Sequence, residues 1–170
     1  MVAPIITHVI GITALLAIMM IIIMYVGFMT QTMMYENVKK NLEMVSQSLA
    51  MQIYYGISSD TNMSLQLDYP LIVGKNTFYN IYIANTSYIL GVAPFLSDKL
   101  QPSQLYVLVM TPDKQVYAYT PVCNITFNGK TILVQNNMIV IGSGTAATLA
   151  IEINSTNIYI TIYKIEVRYP

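Results

Sequence analysis

The stretch VIGITALLAIMMIIIMYVGFM, residues 9–29, decides how the rest of the chain is read. It is 21 positions long and carries no formal charge, and roughly 20 such residues cross a hydrocarbon core. A cleaved secretory signal would need a basic start, a shorter apolar core and a small-residue cleavage site. No Lys or Arg precedes this run, and Phe28-Met29-Thr30-Gln31 offers no such site. The expectation is therefore a retained membrane anchor.

Working outward, the pattern changes after Thr30. Val38, Leu42, Val45, Leu49 and Ile53 recur at spacings of four, three, four and four, which is one face of a helix. Glu36 with Lys40, and Lys39 with Glu43, stand at i,i+4, each worth about 0.2–0.5 kcal/mol on an exposed face. Pro4 suits a first helical turn, and Gly56 reads as a C-terminal stop. One helix is thus expected over about residues 5–55, some 75 Å long, far more than a bilayer requires. Its second half must pack on its own C-terminal domain or on neighbouring copies. Met33, Met34, Tyr35, Met44 and Met51 decorate other faces, and exposed apolar helix faces mark partner surfaces.

Residues 57–62, Ile-Ser-Ser-Asp-Thr-Asn, read as a linker. Beyond them the chain turns β-branched, aromatic and alternating. Strands are expected over 63–69, 78–84, 87–92, 105–110, 115–120, 122–127, 130–134, 138–141, 147–153 and 158–169. Asn85-Thr86 reads as a tight turn, Thr111-Pro112-Asp113-Lys114 as another, and Asn128-Gly129 as the strongest hairpin signal. The expected fold class is α+β: a long N-terminal helix, transmembrane first and amphipathic second, then an antiparallel β-sandwich of Ig-like kind. The expected domains are the helix over 1–56, the linker, and an extracytoplasmic sandwich over 63–170.

Composition narrows the function. Apolar residues make up 55% and charged ones 9% of the 170, against about 25% charged in an ordinary domain. Eight basic residues balance eight acidic ones, so no basic field exists to displace counterions, and nucleic acid is not an expected partner. One cysteine and one histidine leave little for a thiolate metal site or a general base. No cofactor, no metal and no catalytic residue is expected, and the chain reads as non-enzymatic.

Individual residues read modestly. His8 is expected at the membrane edge, and Cys123 as a small buried hydrophobe without a cationic neighbour. Gly142-Ser143-Gly144 lacks the Lys of a phosphate loop and reads as a turn. Gly11, Ala14 and Ala17 form a small-residue face on which helices could pack closely. Four Asn-x-Ser/Thr acceptors begin at Asn62, Asn85, Asn124 and Asn154, all after the anchor, and point to a glycosylated exterior domain. Lys39 and Lys40 oppose that orientation under the positive-inside rule, but Glu36 and Glu43 flank them. The charge-poor, Tyr- and Asn-rich C-terminal part is expected outside the cell.

This layout, carried by residues 5–53 and above all by Thr7-His8-Val9-Ile10-Gly11 through Tyr35-Glu36-Asn37-Val38, resembles the archaeal type IV pilin superfamily. That superfamily includes adhesive pilins, archaellins and archaellum stator proteins. No basic leader precedes the apolar run, and Ile5 stands where many bacterial pilins place glutamate; both suit an unprocessed, pilin-like or stator-like protein. The resemblance implies a surface structural role. As a filament subunit, the chain would self-associate through its helices; as a stator, it would stay in the membrane while the sandwich grips a surface layer or the filament. A viral or envelope glycoprotein fits the same composition.

Overall fold

The computed structural model describes residues 3–74 and 77–167, with side chains over 8–74 and 77–162. The chain divides into two compact units, residues 1–37 and 38–170. The expected boundary lay at Gly56. It falls earlier because the amphipathic half of the helix belongs to the core of the second unit.

One α-helix, α1, spans Ala3–Ser58. In the first unit every described side chain from residue 8 to residue 37 is exposed. Three threonines there keep their hydroxyls within the helix: Thr13 donates to the Val9 carbonyl at 3.0 Å, Thr30 to Val26 at 2.8 Å and Thr32 to Phe28 at 3.0 Å.

In the second unit, α1 buries Leu42, Val45, Ser46, Leu49, Ala50, Ile53 and Ile57, with Val38 half-buried. This is the stripe anticipated from the four-three-four-four spacing, and it settles on the unit's own core. Gly56 does not end the helix. It lies buried inside it, where a Cβ would stand 2.4 Å from Ile151 Cδ1 and 2.6 Å from Leu65 Cδ1, so close approach explains the glycine. The actual end is closed by serines: Ser58 Oγ donates to the Tyr55 carbonyl at 3.1 Å and Ser59 Oγ to Gly56 at 2.8 Å. Asp60 then takes a positive φ of 52°.

Among the described residues nine strands follow. They are β1 Met63–Gln66, β2 Asn80–Asn85, β3 Gln104–Met110, β4 Tyr117–Asn124, β5 Thr126–Phe127, β6 Lys130–Val134, β7 Met138–Gly142, β8 Thr145–Ile153 and β9 Asn157–Val167. The expected end of the last strand at Tyr169 lies outside the described residues. One sheet has the order β1-β8-β9-β6-β5 and the other β4-β3-β2-β7. Apolar faces of both sheets and the α1 stripe share one core, including Ile81, Val107, Ile139, Leu149, Ile158 and Ile160.

Two expectations are corrected here. The pairing is not wholly antiparallel, because β6 and β9 run parallel, with Thr131 opposite Asn157. After β6 the chain turns at Gln135–Asn137, enters the other sheet as β7 beside β2, and only then returns as β8 and β9. Residues 87–92 form no strand. They belong to helix α2, Thr86–Val92, whose N-cap Asn85 accepts the Tyr88 N–H through Oδ1 at 3.2 Å. The tight turn expected at Asn85-Thr86 is that cap.

α2 and the 3-10 turn Pro94–Leu96 cover the second face of the four-stranded sheet. Ile89, Ala93 and Leu96 pack there on Ala84, Tyr106, Leu108 and Met110. β3 is consequently buried on both sides: Leu105, Val107 and Val109 face one core, Tyr106, Leu108 and Met110 the other. Such a strand reads as a continuous apolar run rather than an alternation. The Asn128-Gly129 hairpin forms as expected, with φ of 49° and 77°, the positive pair a type I′ turn demands. Among the described residues one ion pair occurs, Lys130 Nζ to Asp60 Oδ1 at 2.6 Å.

Candidate functional site

The most conspicuous feature of the first unit is an uncovered apolar surface. Residues 9–29 lie on α1 with large side chains turned outward, among them Ile10, Leu15, Leu16, Ile21, Met24 and Phe28. The helix is long and apolar enough to cross a membrane. Self-satisfied threonine hydroxyls lower the cost of placing that surface in lipid, where no water can pair with them. Gly11 has no heavy atom within 4 Å of a built Cβ, and Ala14 is exposed, so the small-residue face is open. His8 is exposed as well.

The second unit presents its own apolar positions. Met44, Met51, Tyr54 and Tyr55 stand on the outer side of α1, Tyr55 70% exposed. Two shallow grooves flank this part of the helix. One, of about 350 Å³, is lined by Met44, Val45, Ser48, Asp68, Pro70 and Ile72. The other, of about 380 Å³, is lined by Ala50, Met51, Tyr54, Tyr55, Pro121 and Val122. Tyr54 also meets Phe127 edge-on at 6.0 Å. By contrast Leu42, Val45, Leu49 and Ile53 are spent on the unit's own core. Of the helix positions singled out from sequence, Gly11 and Ala14 are exposed, Val38 is half-buried, Leu42, Leu49 and Ile53 are fully buried, and Val45 is buried at the border of the first groove.

The expected acceptor asparagines are spread over the second unit. Asn62, just before β1, is exposed and its Oδ1 accepts the Ile153 N–H at 2.6 Å. Asn124 ends β4, exposed, with Gln104 Nε2 at 3.5 Å from its Oδ1. Asn154 is exposed in the β8–β9 turn. Asn85 is half-buried, engaged as the α2 cap, and followed by a buried Thr86 whose Oγ1 donates to the Gln101 carbonyl at 2.6 Å. A glycan bonds the amide nitrogen, so an Oδ1 acceptor role is compatible with attachment at Asn62 and Asn124.

Burial pushes the Cys123 thiol up to about 11, which keeps it protonated and inert near neutrality. Asp113 lies below the usual carboxylate range because the Thr111 hydroxyl and then the Gln115 N–H donate to it. Lys99 lies above its ordinary value through its hydrogen bond to the Tyr117 hydroxyl at 3.1 Å. Ser143 in the Gly-Ser-Gly turn is buried, and its Oγ accepts the Tyr79 N–H at 3.1 Å, a tie between the β7–β8 turn and the approach to β2.

Sequence reasoning passed over Ile72 and Phe78, which sit in the loop between β1 and β2 and are 41% and 59% exposed. Their signal was the inverted alternation Ile72-Val73 and Phe78-Tyr79, in which the neighbours are buried. No protein-family model, curated protein or solved structure matches the chain.

Proposed function

We propose that this chain is a non-enzymatic structural protein of the cell surface, a pilin-like subunit of an archaeal type IV pilus-like filament or its membrane-anchored accessory. The observation that carries the reading is the division of labour along α1. The stripe from Leu42 to Ile57 is consumed by the folded unit, while residues 8–37 remain exposed along their whole length and are uncharged up to Glu36. Apolar surface on that scale is not left to water: at about 25 cal/mol per Å² its exposure is costly, and either lipid or the helices of other copies relieve it.

In this reading residues 9–29 form the anchor or the filament core, and the two-sheet unit is a sandwich-type head outside the cell, glycosylated at some of Asn62, Asn85, Asn124 and Asn154. The partners are the membrane, further copies through the N-terminal helix, and a surface layer or filament through the β unit. The stator-type reading draws on the threonines whose hydroxyls return to their own helix, a device suited to permanent residence in lipid. An envelope glycoprotein would use the anchor in the same way.

Electron microscopy of sheared surface filaments from the native cell, with mass spectrometry of the bands, tests the reading. The chain as main filament component establishes the subunit role. Recovery only from detergent-extracted membranes establishes the anchored accessory. Recovery from the soluble fraction, without detergent and without filaments, overturns both.

A further inference from the structure

Among the described residues the two sheets have four edges, β1 and β5 on the five-stranded sheet and β4 and β7 on the four-stranded one. An edge strand presents unpaired backbone N–H and C=O groups, and pairs with other chains unless it is short, interrupted or covered. Three of the four edges are protected in these ways. β1 is four residues long and β5 two. β4 carries Pro121, shifts register where it meets Leu105 and Tyr106, and is tied to α1 by the Ser46–Thr120 hydroxyl pair at 2.8 Å. β7 has none of these protections. Its five residues pair with β2 in unbroken register and include no proline and no charge.

The ladder fixes which groups of β7 point outward. The Ser143 N–H donates to the Tyr79 carbonyl at 2.9 Å, so the hydrogen-bonded pairs fall on Ile141 with Ile81 and on Ile139 with Ile83. Met138, Val140 and Gly142 therefore turn their N–H and C=O groups away from β2. Among the described residues only Thr145 reaches these groups, its hydroxyl donating to the Gly142 carbonyl at 2.8 Å, and that oxygen keeps a second lone pair. Ile139 and Ile141 are buried in the core, whereas the Val140 side chain is 45% exposed.

Such an edge is complementary to itself. Two β7 strands running antiparallel about a two-fold axis at Val140 set Val140 opposite Val140 and Met138 opposite Gly142, so every outward donor faces an outward acceptor. A two-fold axis also brings each nearby charge toward its own copy. Here the chain carries no charge from Thr131 to Ile151, between Lys130 and Glu152, so like charges do not meet. The side chains facing across the axis are β-branched, a favourable cross-strand pair.

We infer that β7 is a self-association surface, on which the β7 of a second copy adds in antiparallel register and joins two four-stranded sheets into one. The contact belongs to the second unit and needs neither the membrane nor the filament reading of residues 9–29.

The test uses the full chain in detergent micelles, with Cys123→Ala and a single introduced thiol, oxidised mildly with copper phenanthroline. Residues of a hydrogen-bonded antiparallel pair stand about 5.5 Å apart at Cα, within disulfide reach. The expected result is a disulfide-linked dimer as the main species for Val140→Cys. Leu133→Cys, at a position 41% exposed on the other sheet, should stay monomeric. Chains carrying Met138→Cys and Gly142→Cys should link when mixed and not alone, and this pair gives the reading where Val140→Cys does not fold. Adding Val140→Lys to both should abolish that link by setting two ammonium groups at the axis. Linking of Val140→Cys no greater than that of Leu133→Cys overturns the contact, including the case in which a foreign strand uses this edge. Self-linking of Met138→Cys as ready as that of Val140→Cys overturns the antiparallel two-fold. A linked Val140→Cys dimer in a chain recovered from the soluble fraction overturns the anchor and filament readings and leaves this contact standing.

Discussion

Gly56 and Ile151 approach so closely that a Cβ on the glycine would lie 2.4 Å from the isoleucine Cδ1, with Leu65 Cδ1 at 2.6 Å on another side. Helix α1 is seated on β8 and β1 at this point because the helix lacks a side chain there. The glycine is a packing residue in mid-helix, tolerated despite its poor helix propensity.

Gly56→Ala is therefore expected to destabilise the chain. Overpacking costs about 2 kcal/mol, and alanine recovers about 1 kcal/mol of helix propensity, leaving a net loss near 1 kcal/mol. Both obstructing atoms are side-chain ends, so rotation relieves part of the clash, and Gly56→Val should cost far more. Chemical denaturation of the purified protein reads this out; a higher midpoint for Gly56→Ala would contradict it.

Leu49→Asp and Met51→Asp separate the two roles of the helix. Leu49 is fully buried, and its replacement loses about 2 kcal/mol or more of burial and places a carboxylate in the core. Met51 is 62% exposed and borders a groove. Circular dichroism should show Leu49→Asp, and likewise Val45→Asp, with a collapsed melting transition. Met51→Asp should keep the wild-type melt. Equal melting of Leu49→Asp and wild type would refute the burial argument.

A chain starting at Val38 should fold, whereas one starting at Ser59 should not. The second lacks Leu42, Leu49, Ile53 and Ile57, which the core of the β unit needs. Limited proteolysis and near-ultraviolet dichroism distinguish a protected fragment from a digested one. A protected chain starting at Ser59 would show that the sheets close without the helix.

Much of this was legible beforehand, for reasons that differ by element. The long apolar helix over 9–29 and the Leu42–Ile53 stripe are local periodicities, and the Asn128-Gly129 turn is local chemistry, so each follows from its own residues. α2 does not. Ser87-Tyr88-Ile89-Leu90-Gly91-Val92 is apolar and β-branched enough to read as strand, and is held helical by the Asn85 cap and the burial of Ile89. The parallel β6–β9 pair is non-local, set by the excursion through β7 into the other sheet. Of the candidate site, the apolar run over 9–29 was plain in the sequence. The outward Ile72 and Phe78 were hidden because a bridge, not a motif, orients them.

Alkaline pH should weaken the folded unit through Cys123. Its thiol titrates at about 11 when folded against an ordinary 9.0, so the folded state holds the proton more tightly. That contribution is complete below about pH 9 and is lost as pH rises toward 11. Cys123→Ala should flatten this limb of the stability–pH curve, and thiol alkylation of the native protein should stay slow at pH 8. Rapid alkylation there would show that the burial is not maintained.

Acid acts through Asp113 with the opposite sign. Its lowered pKa means the ionised carboxylate, held by Thr111 and Gln115, contributes at neutral pH and is lost as pH falls through the folded value. Asp113→Asn should remove that acid limb, and with few carboxylates in the chain the fold should otherwise persist down to about pH 3. Unfolding of Asp113→Asn at the same acid midpoint as wild type would assign the effect to another group.

The Lys130–Asp60 pair, alone of its kind among the described residues, has a consequence for the environment the chain can tolerate. Its aspartate is exposed and its lysine half-buried, so the pair contributes about 1 kcal/mol and added salt can screen it. With eight charges of each sign dispersed through 170 residues, dilution or concentration of the surrounding electrolyte has little to act upon. The stability of the folded unit should therefore change little between dilute and concentrated salt.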